Sequence, residues 1–250
     1  MKKAIIITIR IIAIIVLLVS LYMLTVYLIG DIHDFSVRDA IKRLRDQSFD
    51  PNATDPLPEV LDEYKSLYAE NDEVIGWLKI PDTSIDYVVM YAPDTPQKYL
   101  HRDFYGKESY RGCLYVDEKC DVLHSDNIII YGHHMKDGSM FGDLIDYQSE
   151  SFYSKHKTVI FDSIYEKHTY EVVAAIKTSI LPEGVEGFRY HMYTGVNDTE
   201  KFAQYKEFIA KNALYDTGVE LNEGDRLLTL STCAYHTAEG RFIVVAKCID

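Results

Sequence analysis

From Val74 onward, short runs rich in β-branched and aromatic residues alternate with turn formers, a texture that restricts this part of the chain to an all-β design. The runs predict eight strands, near residues 75–80, 85–90, 111–117, 126–131, 157–163, 168–178, 226–231 and 241–248. Ile128-Ile129-Ile130-Tyr131 is continuously apolar, the pattern of a strand buried on both faces. Eight short strands with few helices favour a closed or nearly closed barrel, because closure removes unpaired edges. One long helix is expected late, over 199–213, with Phe202, Tyr205, Phe208 and Ile209 on one face. A shorter helical stretch is expected over 140–148.

The first thirty residues differ in kind. Ile11 to Gly30 carries no charge and is dominated by apolar side chains, about the 20 residues that a helix needs to cross a bilayer core. Lys2, Lys3 and Arg10 all precede it, which predicts a cytoplasmic N-terminus. A cleaved signal peptide is the rival reading. Its apolar region is usually only about 7–15 residues and ends in a small-x-small site, whereas this span runs into Tyr27-Leu28-Ile29-Gly30-Asp31. An uncleaved single-pass anchor, with the rest of the chain outside the cell, is the expectation.

Between anchor and strands, residues 31–50 are polar and helix-like, with Val37, Ile41 and Leu44 at helical spacing. Pro51, Pro56 and Pro58 then break the pattern, and a second helix is expected over 59–70. The predicted division is 1–10 cytoplasmic, 11–30 transmembrane, 31–71 a helical stalk or cap, and 72–250 the β-domain. With 39 acidic against 26 basic side chains, a net charge of −13, the chain lacks the basic footprint of a nucleic-acid binder.

Four cysteines, Cys113, Cys120, Cys233 and Cys248, would suffice for two disulfides, but no pair has zinc-like C-x-x-C spacing. Cys113 and Cys248 fall in strand-like runs and read as small buried residues, and Cys120 falls in a polar turn. Cys233 stands apart. Leu228-Thr229-Leu230-Ser231-Thr232-Cys233 reads as a strand that ends in two small hydroxyl residues and a thiol. Arg241 opens the next strand, and if the two are joined by 234–240 it lies beside Cys233. Ile130-Tyr131-Gly132-His133-His134 ends another buried strand in two histidines. A histidine near the thiol can protonate a leaving amine, and neighbouring His or Arg raises the thiolate fraction. Taken singly, each feature has a plainer reading: a packed thiol, a surface turn or half a metal site, a surface charge. The absence of a second histidine at helical spacing and of a cysteine pair argues against metal. No metal or cofactor is expected.

Together, Tyr131-Gly132-His133, Thr229-Leu230-Ser231-Thr232-Cys233 and Arg241, in that order, resemble the sortases, surface transpeptidases of Gram-positive bacteria. The resemblance covers about 72–250 plus the anchor. The two N-terminal helices, the 130–141 segment, the late long helix, Trp77 with Leu78-Lys79-Ile80-Pro81, and Lys98 to Phe104 are similar to class B. The resemblance implies an eight-stranded sortase-type β-barrel, with Cys233 as nucleophile and His133, not His134, as acid and base. Arg241 would hold substrate and the oxyanion. Ser231, Leu100 and Tyr131 are implied to line the sorting-signal groove. Class B members often carry an acidic residue after the cysteine; here it is Ala234, which bears on substrate preference.

The implied reaction cleaves a C-terminal sorting signal after threonine through a thioacyl-enzyme and transfers the protein to an amine of a cell-wall precursor. Asn-Pro-x-Thr-Asn-like and Pro-x-Thr-Gly-like signals both fit. The implied partners are therefore surface proteins bearing such signals, an amine acceptor and the membrane. Two alternatives stand beside this reading. One is a cysteine hydrolase or L,D-transpeptidase of the wall, although the Ser-His-Gly-Cys run of the latter is missing. The other is a membrane-tethered binding barrel with no activity.

Overall fold

The structure, a computed structural model, describes residues 2–45, 60–182, 184–194, 199–234, 237 and 239–250. The expected proline-rich breaker at 51–58 lies outside them. Eight strands are present: β1 (Val74–Lys79), β2 (Asp86–Met90), β3 (Leu114–Val116), β4 (Asn127–Tyr131), β5 (Thr158–Ser163), β6 (Lys167–Ser179), β7 (Leu227–Cys233) and β8 (Gly240–Cys248). They close into a barrel in the order β1-β2-β3-β4-β7-β8-β6-β5. The β2–β3 and β4–β7 pairs are parallel and the others antiparallel. Closure satisfies every strand edge, as the pattern of short runs requires.

Burial along the strands explains the sequence texture. β5 alternates, with Val159, Phe161 and Ser163 buried and the residues between them more open. β4 and β7 are buried along almost their whole length, because other elements cover their outer face. Over β7 that cover is α4 (Thr199–Asn212) together with residues 188–193. Tyr190, Tyr193, Tyr205 and Ile209 pack there with Leu227, Ile243 and Val245.

The covered face carries polar side chains, and each is paired. Asn127 Nδ2 donates to the Tyr193 carbonyl at 2.6 Å, and Thr229 Oγ1 donates to Asn127 Oδ1 at 2.8 Å. The Tyr205 hydroxyl lies 2.8 Å from Thr229 Oγ1. Leaving any of these buried groups unpaired would cost about 1–3 kcal/mol. Thr229 of β7 thus belongs to a satisfied network under the helix.

β6 is long enough to pair with both β5 and β8, and a register shift between Val172 and Ala174 bends it around the barrel. At the N-terminal side, α1 runs from Lys2 to Arg45 as one helix, where the sequence suggested two adjoining segments. Its stretch from Ile9 to Arg43 is long and apolar enough to cross a membrane. The chain divides into two units, Met1–Ala40 and Ile41–Asp250.

Within the second unit, the last turn of α1 is anchored on β1 and β2. The Arg45 guanidinium lies 4.3 Å above the Trp77 ring. Asp86 accepts from Trp77 Nε1 at 2.7 Å and from Lys42 Nζ at 3.0 Å. Burial alone would raise the Asp86 pKa, but these donors outweigh it and hold the carboxyl below its ordinary value. The helix expected over 59–70 is a 3₁₀ turn, Asp62–Tyr64, followed by α2 (Lys65–Glu70). The stretch expected at 140–148 is a 3₁₀ segment, Asp143–Gln148, and a one-turn helix, α3 (Glu150–Tyr153), follows it. Met140 falls outside both: its φ of 54° is left-handed, which delays helical geometry.

Candidate active site

Three neighbouring strands, β4, β7 and β8, bring the candidate residues to one rim of the barrel. Tyr131 is level with Ser231 in the parallel β4–β7 pair. Contact continues one step further, as the Gly132 N–H donates to the Ser231 carbonyl at 3.1 Å. Thr232 Oγ1 donates to the Gly132 carbonyl at 2.7 Å. Gly132 is therefore tied to the two residues that precede Cys233, and His133 leaves β4 level with the thiol. A Cβ at position 132 would collide with Leu114 Cδ2 and Phe141 Cδ2. Only glycine permits this approach.

On the other side of β7, Cys233 is paired directly opposite Arg241. Facing residues in an antiparallel pair have Cα atoms about 4.5–5.5 Å apart. The connection is closed by the Ala234 N–H donating to the Gly240 carbonyl at 3.0 Å. A Cβ at Gly240 would run into the Ala234 carbonyl, so this hairpin also depends on a glycine. Arg241 Nη1 donates to the Gly240 carbonyl at 3.0 Å, and Nη2 lies 3.5 Å from Glu239 Oε2. The guanidinium is held by its own hairpin, with N–H groups to spare.

His133 is half-buried, and its Nε2 lies 2.8 Å from the Leu100 carbonyl. A carbonyl only accepts, so Nε2 carries the proton there and Nδ1 is the ring nitrogen left with the lone pair. The His101 ring lies 5.3 Å away, centroid to centroid. Burial, foremost, lowers the His133 pKa, the Leu100 carbonyl opposes it, and His101 lowers it further. A His101→Gln variant removes the electrostatic influence of that ring, so the imidazolium of His133 gains stability and its titration moves to higher pH. Imidazole NMR across a pH series should show that upward shift; an unmoved midpoint would refute the coupling.

The other three candidates occupy distinct places around this centre. Leu100 ends a 3₁₀ turn, Lys98–Leu100, and its carbonyl is what meets His133. Tyr131 donates its hydroxyl to Asp117 Oδ2 at 2.8 Å, and its ring lies 5.5 Å from that of Tyr115. Ser231 is 1% exposed, with its hydroxyl 2.8 Å from that of Tyr190. Among the other cysteines, Cys113 and Cys120 are buried, and Cys248 is half-exposed. Cys120 sits in a turn that folds inward, where Sγ accepts from the Ile129 N–H at 3.4 Å. Burial pushes its thiol up to about 12, leaving it protonated and inert.

Sequence reasoning did not single out Tyr190, Asp117, Tyr115 or His101. Burial, foremost, pushes the Tyr190 phenol up to about 12, so it stays neutral over Ser231. Tyr115 feels both Cys233 and Arg241 electrostatically. The only sequence signal was for His101, which lies inside the Lys98 to Phe104 run already noted.

A cysteine that ends β7, an arginine paired with it on β8 and a histidine that follows β4 are the residue types that covalent acyl transfer uses. Comparison with known proteins agrees. The sortase domain family matches residues 78–249. Sortase B of Staphylococcus aureus is 32% identical over 190 residues, 75% of each chain. A solved sortase B from B. anthracis in complex with AAEK1 superposes with a TM-score of 0.75 at 28% identity, covering 89% of this chain and 99% of that one. A Staphylococcus aureus sortase B-substrate complex gives 0.74, also at 28% identity, covering 89% and 99%. The chain belongs to the sortase family, in its class B group, and is a cysteine transpeptidase.

Proposed function

We propose that this enzyme cleaves a C-terminal sorting signal after its threonine and joins the released carbonyl to a cell-wall amine. The supporting observation is the register that pairs Cys233 of β7 with Arg241 of β8 and sets Tyr131, two residues before His133, level with Ser231. Cys233 Sγ, as thiolate, attacks the threonine carbonyl carbon. The Arg241 guanidinium faces the oxyanion of the tetrahedral intermediate, where a charged donor counts most. His133, protonated at Nδ1, gives that proton to the departing amine as the C–N bond breaks. The thioacyl-enzyme is then attacked by the acceptor amine, His133 takes its proton, and the thiolate leaves. Ser231 with Tyr190, Leu100 and Tyr131 form the supporting wall of the signal groove, Ser231 from beneath.

The N-terminal helix supports a single-pass anchor over 11–30, with a cytoplasmic N-terminus, a stalk over 31–71 and a catalytic domain over 72–250 outside the cell. The test is transpeptidation by the full chain in detergent micelles. Peptides of the Asn-Pro-x-Thr-Asn and Pro-x-Thr-Gly types are supplied with and without an oligoglycine acceptor. The expected result is one peptide type cleaved after threonine and converted to the amide in proportion to acceptor. Cleavage that yields only free acid at every acceptor concentration would identify a hydrolase instead.

A further inference from the structure

Beyond the catalytic rim, three metal-ligating side chains of different chemistry meet where β6 begins and β8 ends. His168 Nδ1 lies 3.1 Å from Asp250 Oδ1. Cys248 Sγ lies 3.3 Å from the same oxygen and 3.8 Å from His168 Nδ1. For a tetrahedral zinc with S, N and O ligands, bond lengths near 2.3 and 2.0–2.1 Å require ligand separations of about 3.6 Å from sulfur and about 3.3 Å between N and O. The observed triangle departs from this by only a few tenths of an ångström.

The surroundings fit the same role. His168 Nε2 lies 3.0 Å from Glu166 Oε2, so its N–H can be committed to a carboxylate while Nδ1 keeps a lone pair toward Cys248 and Asp250. A ligating histidine that gives its other N–H to a carboxylate is the usual outer-layer arrangement of a zinc site. Arg226 Nη1, 3.7 Å from Glu166 Oε2 and 3.3 Å from His168 Nε2, balances that carboxylate. The backbone is fixed as well. The Thr169 N–H donates to Asp250 Oδ2 at 2.8 Å, and the Ile249 N–H donates to the Thr169 carbonyl at 3.0 Å. The His168 side chain is largely covered while Asp250 is half-open, which gives an ion an entry path.

We propose that His168, Cys248 and Asp250 form a binding site for a zinc-class divalent cation. Sulfur and imidazole favour zinc over magnesium or calcium, and the fourth position is left to water. On binding, the Cys248 S–H bond breaks, the proton passes to solvent and a metal–sulfur bond forms. The ion would clasp the end of β8 to the start of β6, far along both strands from Arg241.

The test uses the full chain carrying Cys233→Ala, so that the catalytic thiol cannot contribute. Titration with cobalt(II) should give a thiolate-to-cobalt charge-transfer band that saturates at one equivalent and is displaced by zinc. Adding Cys248→Ser should abolish the band, and adding His168→Gln should weaken binding at least about tenfold, the scale of losing a ligand-level contact. Zinc should also protect Cys248 from alkylation and raise the melting temperature of the Cys233→Ala protein. Circular dichroism confirms that each variant is folded. A band that survives Cys248→Ser, or a Cys233→Ala protein that binds no cobalt and whose Cys248 alkylates equally with and without zinc, would overturn the proposal.

Discussion

Cys233→Ala is expected to abolish transpeptidation, with a fall on the order of 10⁴- to 10⁶-fold in turnover, the scale seen when a covalent nucleophile is removed. The barrel should tolerate the change. Cys233 ends β7 half-exposed, and the strand is held by its backbone pairing to β4 and β8. The melting temperature is therefore expected to stay close to that of the parent while the acyl-enzyme, detected by intact mass after peptide addition, disappears. A Cys233→Ala protein that still accumulates a peptide adduct would place the nucleophile elsewhere, with Cys248 the next half-exposed thiol to examine.

Arg241→Ala should lower turnover about 10²- to 10³-fold, as loss of one strong oxyanion donor does. Arg241→Lys should recover only part of this. An ammonium restores the charge but not the planar fork, which here donates to the Gly240 carbonyl and still has N–H groups to offer. The comparison separates two roles. If charge alone matters, Lys rescues nearly in full; if directed hydrogen bonding matters, Lys resembles Ala. An Arg241→Ala enzyme with unchanged turnover would remove this residue from the mechanism.

Much of this architecture was readable from the sequence because half-buried strands impose a two-residue period. β5 shows that alternation directly, and the apolar run in β4 reports cover on both faces. The nearness of Cys233 to Arg241 was readable because a short connection between two β runs makes a hairpin. The partnership with His133 came from resemblance, since nothing local fixes which strands of a barrel become neighbours. The network around these residues was hidden for the same reason. Tyr190 over Ser231, Asp117 on Tyr131 and His101 beside His133 join elements whose meeting depends on the closed barrel.

Leu100 was expected in the sorting-signal groove, and its backbone carbonyl is the group that meets His133 Nε2. Cys120 was placed in a polar turn, and that turn folds its sulfur against β4, whereas Cys248, read as a buried residue, is only partly covered.

The separation of His133 from Cys233 and Arg241 along the chain has a consequence for when this protein can react. β7 lies between β4 and β8 in the barrel, and β8 follows β7 in the chain. A nascent polypeptide that has reached Cys233 carries its sulfur without the guanidinium that faces it. The Cys233–Arg241 pairing can form only once β8 has emerged, so a chain that stops before Arg241 lacks the guanidinium proposed to hold the oxyanion.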